Sequence, residues 1–147
     1  MKKRMFTYLA LLCIAFTTAN ATEVKPAKKV NLAKPAAVIN AFIEAQVKGD
    51  IALFDQVLAN ELVMKVNRPD RINFHTKENI MTYYGKNADV LRGCQPNYEI
   101  LSSRNTAILV RIDFKFDTFV QQNFVALEKD SLGEWKITQL NRFNKAV

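Results

Sequence analysis

Residues 106–129 read TAILVRIDFKFDTFVQQNFVALEK. Branched and aromatic residues alternate with polar ones on both sides of Asp117-Thr118, the pattern of two strands joined by a two-residue turn. Counting outward from that turn sets Phe116 against Phe119, Phe114 against Gln121, Ile112 against Asn123 and Val110 against Val125. This face is apolar except for Gln121 and Asn123. The other face pairs Asp113 with Gln122 and Arg111 with Phe124 and reads as half-solvated. The first face is therefore expected to meet the rest of the fold.

Strands are also expected over Tyr98–Ser102 and Glu134–Phe143, with turns at Ser103-Arg104-Asn105 and at Asp130-Ser131-Leu132-Gly133. Such short connections make an antiparallel meander. The first half of the domain reads differently. In AVINAFIEAQVKGD (37–50), Ile39, Phe42, Ile43 and Val47 recur at helical spacing behind Pro35, which suits a first helical position. Gly49 suits the left-handed C-terminal position, and Asp50 can cap a second helix, IALFDQVL. A small hairpin is expected from Leu62–Val66 and Arg71–Phe74 around Asn67-Arg68-Pro69-Asp70. A third helix follows, capped by Thr76, helped by Glu78 and ending near Gly85, with Ile80, Met81 and Tyr84 facing inward. Helices first and a long sheet afterwards predict an α+β domain, with three helices packed on one face of an antiparallel sheet.

The N-terminus carries a targeting pattern. Lys2, Lys3 and Arg4 precede an apolar run from Met5 to Phe16, and Ala19-Asn20-Ala21 has the small residues read at signal-peptide cleavage. The run is shorter than the roughly 20 residues of a bilayer span. A signal peptide over 1–21 is expected, with the mature chain starting at Thr22, in the periplasm or secreted, and touching a membrane only during export. Cys13 lies inside the apolar run after Leu12 and reads as a leader residue. Residues 22–34, with Lys25, Lys28, Lys29, Lys34 and Pro26, read as a basic flexible linker, and residues 35–147 as the domain.

The net charge of +7 belongs mostly to those leading segments. Of the 21 Lys and Arg, three leave with the leader and four lie in the linker, so the domain holds 14 basic against 13 acidic residues. No basic stripe remains for nucleic acid. The mature chain keeps one cysteine, Cys94, which excludes an internal disulfide. It reads as a small apolar residue, the sharper alternative being an intermolecular bridge or a reactive thiol. With one His and that one Cys, no metal-ligand spacing is present, and no cofactor motif stands out.

The order of helix pair, hairpin, helix and meander resembles the nuclear transport factor 2-like superfamily, which includes SnoaL-like proteins and ketosteroid isomerases. The stretches that carry the resemblance are VINAFIEAQVKGDIALFDQVLANELV, FHTKENIMTYY and FVALEKDSLGEWKITQLNRF. Within it, the chain is most similar to small exported proteins that carry a lumazine-binding label. The resemblance implies a cone-shaped fold with a curved sheet and a conical apolar cavity as the usual site. It also implies a tendency to form homodimers through the outer sheet face.

Candidate site residues follow. Gln121 and Asn123 either bond local backbone or line the cavity, because burying them unpaired costs about 1–3 kcal/mol each. Tyr83, Tyr84 and Tyr98 are phenol donors to a ligand or plain core and rim aromatics. His75 falls with Arg71 and Asn73 on the face opposite Ile72 and Phe74; it is a surface histidine or a general base. Asp113, on the polar strand face, is the other candidate base and an orienting partner for His75. Three functional readings remain open. The first is a non-catalytic exported module that binds a small apolar or aromatic ligand or serves an accessory role. The second is a cofactor-independent SnoaL-like isomerase, dehydratase or cyclase, and the third a self-associating interaction module.

Overall fold

The computed structural model describes residues 28–87 and 93–147. The leader expected over 1–21, with Cys13, lies outside them. The elements run α1 (Pro35–Lys48), α2 (Ile51–Val57), β1 (Leu58–Asn67), β2 (Ile72–Thr76), α3 (Lys77–Lys86), β3 (Gln95–Ser103), β4 (Ala107–Lys115), β5 (Phe119–Lys129) and β6 (Trp135–Ala146).

The helix boundaries follow from their capping chemistry. Pro35 opens α1, and Gly49 ends it at φ 65°, a conformation that costs a side-chain-bearing residue more. The Asp50 carboxylate then accepts from the backbone N–H groups of Ala52 and Leu53 at 3.0 and 3.2 Å. At α3, the Thr76 hydroxyl accepts from Asn79 N–H while Asn79 Oδ1 accepts from Thr76 N–H. Asn79 closes this capping box, and Glu78 lies in the first turn as expected. The helix runs through Gly85 to Lys86, one residue past its expected end.

Six strands form one sheet in the order β2-β1-β6-β5-β4-β3. The β4–β5 register is the expected one, with Ile112 opposite Asn123 and Phe114 opposite Gln121. The Phe116 and Phe119 rings stack at 4.4 Å across the two-residue turn. The sheet is not purely antiparallel, however. β1 runs straight out of α2 and lies parallel to β6, so the small hairpin and the meander form one mixed sheet. The long stretch from β1 through α3 and the meander supplies the crossover a parallel pair needs. Helices α1 and α2 cover the inner face, where Phe42, Phe54, Phe114, Ile112, Leu127 and Leu140 are buried. No helix of the described residues is long and apolar enough to cross a membrane.

Residues 28–34 differ from the free linker expected there. Val30 is 8% exposed and part of the core. Its N–H donates to Gln56 Oε1 at 2.9 Å, Gln56 Nε2 donates back to the Lys28 carbonyl, and Trp135 N–H donates to the Leu32 carbonyl at 2.8 Å. Lysine content suggested a solvated segment, yet two apolar residues and three backbone groups fasten it to α2 and the start of β6. Val30→Ala should therefore lower unfolding free energy by about 1–2 kcal/mol, from the apolar carbon removed plus its cavity. Urea melts of the two proteins check this, and equal midpoints would mean the segment is not anchored.

Candidate functional site

The sheet register gathers polar residues at one end of the inner face. One cross-strand row runs Asn73, Val66, Arg142, Asn123, Ile112 and Tyr98 from β2 to β3. On one side of it, Asn144 faces Gln121, and on the other His75 faces Met64, itself opposite Leu140. Helix α3 overhangs this corner with Ile80, Tyr83 and Tyr84. A cleft of about 330 Å³ opens between helix and sheet.

Arg142 forms the floor of the cleft. Its Nε donates to Asn123 Oδ1 at 2.7 Å. Asn123 is fully buried, and its Nδ2 donates to the carbonyls of Ile112 and Gln121 at 3.2 and 3.3 Å. Every polar group of that side chain is thus engaged, and its role is to hold the guanidinium. The Arg142 guanidinium also lies beside the Tyr84 hydroxyl, which accepts from the buried Gln46 amide. Burial pushes the Tyr84 phenol up from its ordinary value near 10, and the neighbouring Arg142 only partly offsets this. Among the described residues lining the cleft, Arg68 and Arg142 carry charge and no Asp or Glu answers them. The site is accordingly more polar than the apolar cone expected from the resemblance.

Gln121 lines the same cleft. It is 9% exposed, and its Oε1 is buried with no hydrogen-bond partner. Buried acceptors are normally satisfied, so an unpaired one on a residue that lines a cleft marks an open valence there. By contrast, in a larger depression of about 420 Å³ beside α2 and the start of β6, Lys77 and Lys136 are held by local oxygens, although the Thr138 hydroxyl on its wall is buried without a partner. There Lys77 Nζ meets the Asp55 carbonyl and carboxylate at 2.8 and 2.9 Å, and Lys136 Nζ meets the Gln56 carbonyl at 2.6 Å.

The other expected residues are placed as follows. Tyr83 and Tyr84 both line the cleft, their rings edge to face at 5.2 Å, with Tyr83 half exposed. Tyr98 has the right face but sits on the edge strand β3, outside the lining. His75 and Asn73 turn into the cleft, while Ile72 and Phe74 face out, Phe74 being 64% exposed. The apolar pair in β2 is thus the solvent-facing one, and Lys65 Nζ lies 5.8 Å from the Phe74 ring. Asp113 lies on the outer face, paired with Arg111 at 3.3 Å. Between His75 and Asp113 stand β1, β6 and β5, roughly 19 Å at ordinary strand spacing, and the sheet itself. Asp113 therefore cannot orient His75 or reach the cleft.

Arg142, the central residue, carried no sign in the linear sequence. Trp135 and Ile137 point inward, and strict alternation would send Gln139, Asn141 and Phe143 the same way. A register shift beside Ala126 and Leu127 leaves Thr138 as an extra residue in β6. After it Leu140 and Arg142 face inward. Cys94 packs partly buried against the core, and burial raises its thiol above the ordinary range, which makes it a poor nucleophile at neutral pH. Among the described residues no group of three or more His, Cys, Asp and Glu comes together to hold a metal ion.

The Tyr84 environment has a measurable consequence. With its folded pKa above 10, Tyr84 adds stability that is fully present below pH 10 and is lost as pH rises through the raised value. Tyr84→Phe removes that dependence together with one hydrogen bond worth about 1 kcal/mol. In urea melts the wild-type advantage over the variant should hold at pH 8 and shrink between pH 10 and 11. An advantage that grows with pH would contradict this placement of the phenol.

No family model matches the sequence, and no curated protein does either. Solved structures do match. A nuclear transport factor 2-like protein of unknown function from Silicibacter pomeroyi superposes with a TM-score of 0.65 at 10% identity, covering 75% of this chain and 92% of that one. One from Methylobacillus flagellatus gives a TM-score of 0.65 at 15% identity, covering 76% and 89%. A cystatin-like fold protein from Burkholderia xenovorans gives 0.64 at 16% identity, covering 79% and 92%. Nothing in these likenesses carries the lumazine-binding label. With helices on the inner face of a curved, open, six-stranded sheet, this chain has the nuclear transport factor 2-like fold.

Proposed function

We propose that the chain is an exported small-ligand-binding or accessory module, non-catalytic, whose ligand occupies the cleft between α3 and the β1–β6 corner. The observation that carries this reading is the buried, unpaired Gln121 Oε1 at a cleft floored by a positioned guanidinium. A folded protein keeps such a group unpaired at a cost of about 1–3 kcal/mol, which a ligand donor would recover. Export is supported by the basic, apolar and small-residue segments of Lys2 to Ala21, and places the protein in the periplasm or outside the cell.

The SnoaL-like enzymatic reading needs a titrating group in the cleft. Asp113 is out of reach, and no carboxylate is among the described lining residues, so His75 is the base that reading would require. Native mass spectrometry of protein taken from its own compartment should show one small molecule released chemically unchanged, on a chain starting at Thr22. Turnover of that molecule, lost in His75→Gln, would overturn the binding reading in favour of catalysis. A chain retaining residues 1–21 would overturn export.

Self-association is supported by a different observation. Among the described residues no helix covers the outer sheet face, which exposes Ile72, Phe74, Val63 and Phe143. Sedimentation analysis should find a dimer at micromolar concentration that Phe74→Glu dissociates. A monomeric wild type at those concentrations would remove this reading.

A further inference from the structure

Resting on the cleft as a binding site, we propose that it takes a small aromatic 2-hydroxy acid. The carboxylate would lie on the Arg142 guanidinium, the hydroxyl hydrogen on Gln121 Oε1, and the ring against Tyr83, Tyr84 and Ile80. Three features of the site lead to this chemistry. Arg142 spends its Nε on Asn123 Oδ1 and also meets the Tyr84 hydroxyl, which fixes the plane of the guanidinium and leaves its remaining N–H groups for an anion. Neither charged lining residue, Arg68 or Arg142, is answered by an acidic lining residue among those described. A half-buried guanidinium with no carboxylate among the described lining residues favours an anion over a neutral ligand, because desolvation strengthens the pair.

The second polar requirement comes from Gln121. Its unpaired Oε1 accepts, so the ligand must offer an O–H or N–H there. Asn123 faces Arg142 across β5 and β6, and Gln121 is two residues from Asn123 on the same strand face. Arg142 and Gln121 are therefore diagonal neighbours, roughly 7 Å apart at their Cβ atoms, and two long side chains converge from that distance on adjacent ligand atoms. An acid bearing its hydroxyl on the next carbon supplies an anion and a donor at that spacing. The volume of about 330 Å³ and the aromatic walls suit a single ring attached to that pair. Asn123 does not line the cleft, so it is a positioning residue that acts through Arg142.

Three probes of nearly equal shape separate these contacts in NMR titrations of the labelled full chain. Mandelate carries both groups, mandelamide lacks the charge, and phenylacetate lacks the hydroxyl. Mandelate should shift the Gln121 side-chain amide and the Arg142 Nε–H saturably. Mandelamide should bind at least tenfold more weakly, and phenylacetate about fivefold more weakly, from the usual worth of a charged and a neutral hydrogen bond. Arg142→Gln should remove most of the preference for mandelate over mandelamide, and Arg142→Lys, which keeps the charge but not the fork, only part of it. Gln121→Leu should bring mandelate down to phenylacetate. Asn123→Ala should weaken mandelate severalfold and leave mandelamide within twofold, whereas a merely structural role would weaken both alike. If mandelamide or phenylacetate binds the cleft as tightly as mandelate in the wild type, the hydroxy-acid inference falls and the binding site stands. If none of the three moves the cleft resonances, the inference falls; if the protein from its own compartment also carries no small molecule, the binding reading falls with it.

Discussion

One extra residue in β6 decides what the inner face of this protein can do. Trp135 and Ile137 are buried, so continued alternation would bury Asn141 and Phe143 and turn Arg142 to solvent. Thr138 interrupts the count, and Leu140 enters the core while Arg142 enters the cleft. The bulge leaves the Thr138 hydroxyl buried without a partner, a local cost of the kind that bulges near sites carry. What it secures is larger. Leu140 is 1% exposed and joins the two halves of the sheet, opposite Met64 on β1 and Val125 on β5.

The core and the cleft are therefore not independent. Asn123 is buried among Ile112, Val125 and Phe114, where an unpaired amide would be expensive. It is tolerated because backbone carbonyls take its hydrogens and Arg142 supplies the proton to its oxygen. Arg142 in turn is held in a half-buried place by two neutral oxygens, those of Asn123 and Tyr84, with no carboxylate among the described lining residues. Tyr84 is packed on Phe54 at 4.8 Å, which ties the phenol to the α1–α2 pair through Gln46. A chain of hydrogen bonds thus runs from the helical layer through the guanidinium into the sheet. Its members share partners, so single substitutions along it will not add.

Much of this architecture was legible from residue pattern. The Asp117-Thr118 turn, the β4–β5 register, the caps at Asp50 and Thr76 and the left-handed Gly49 all rest on local chemistry, and local chemistry is what a linear reading sees. The inward direction of Gln121 and Asn123 followed from parity about a two-residue turn. The parallel β1–β6 contact did not, because it joins segments some 75 residues apart, as in the Asn67–Arg142 hydrogen bond. Nor did Arg142, since a bulge reverses parity without a sequence mark. In β2 the apolar alternation pointed the wrong way: Ile72 and Phe74 face out, and the polar Asn73 and His75 line the cleft. Hydrophobic pattern assigns faces correctly only where the inner face is wholly core, and at a cleft that premise fails.

The same failure bears on the choice between binding and catalysis. Ketosteroid isomerases, on the same fold, need a carboxylate base and oxyanion donors in the cavity. In this chain the donors are present, from Arg142 and the two tyrosines, but the carboxylate nearest in kind, Asp113, is paired to Arg111 on the far side of the sheet. Arg142 is oriented in advance by Asn123 and Tyr84, and on the binding reading it meets a ligand charge that exists on arrival. Electrostatic catalysis gains only from a charge that develops in the reaction. On the binding reading proposed above, a guanidinium already oriented and no carboxylate among the described lining residues favour a bound anion over a reacting one.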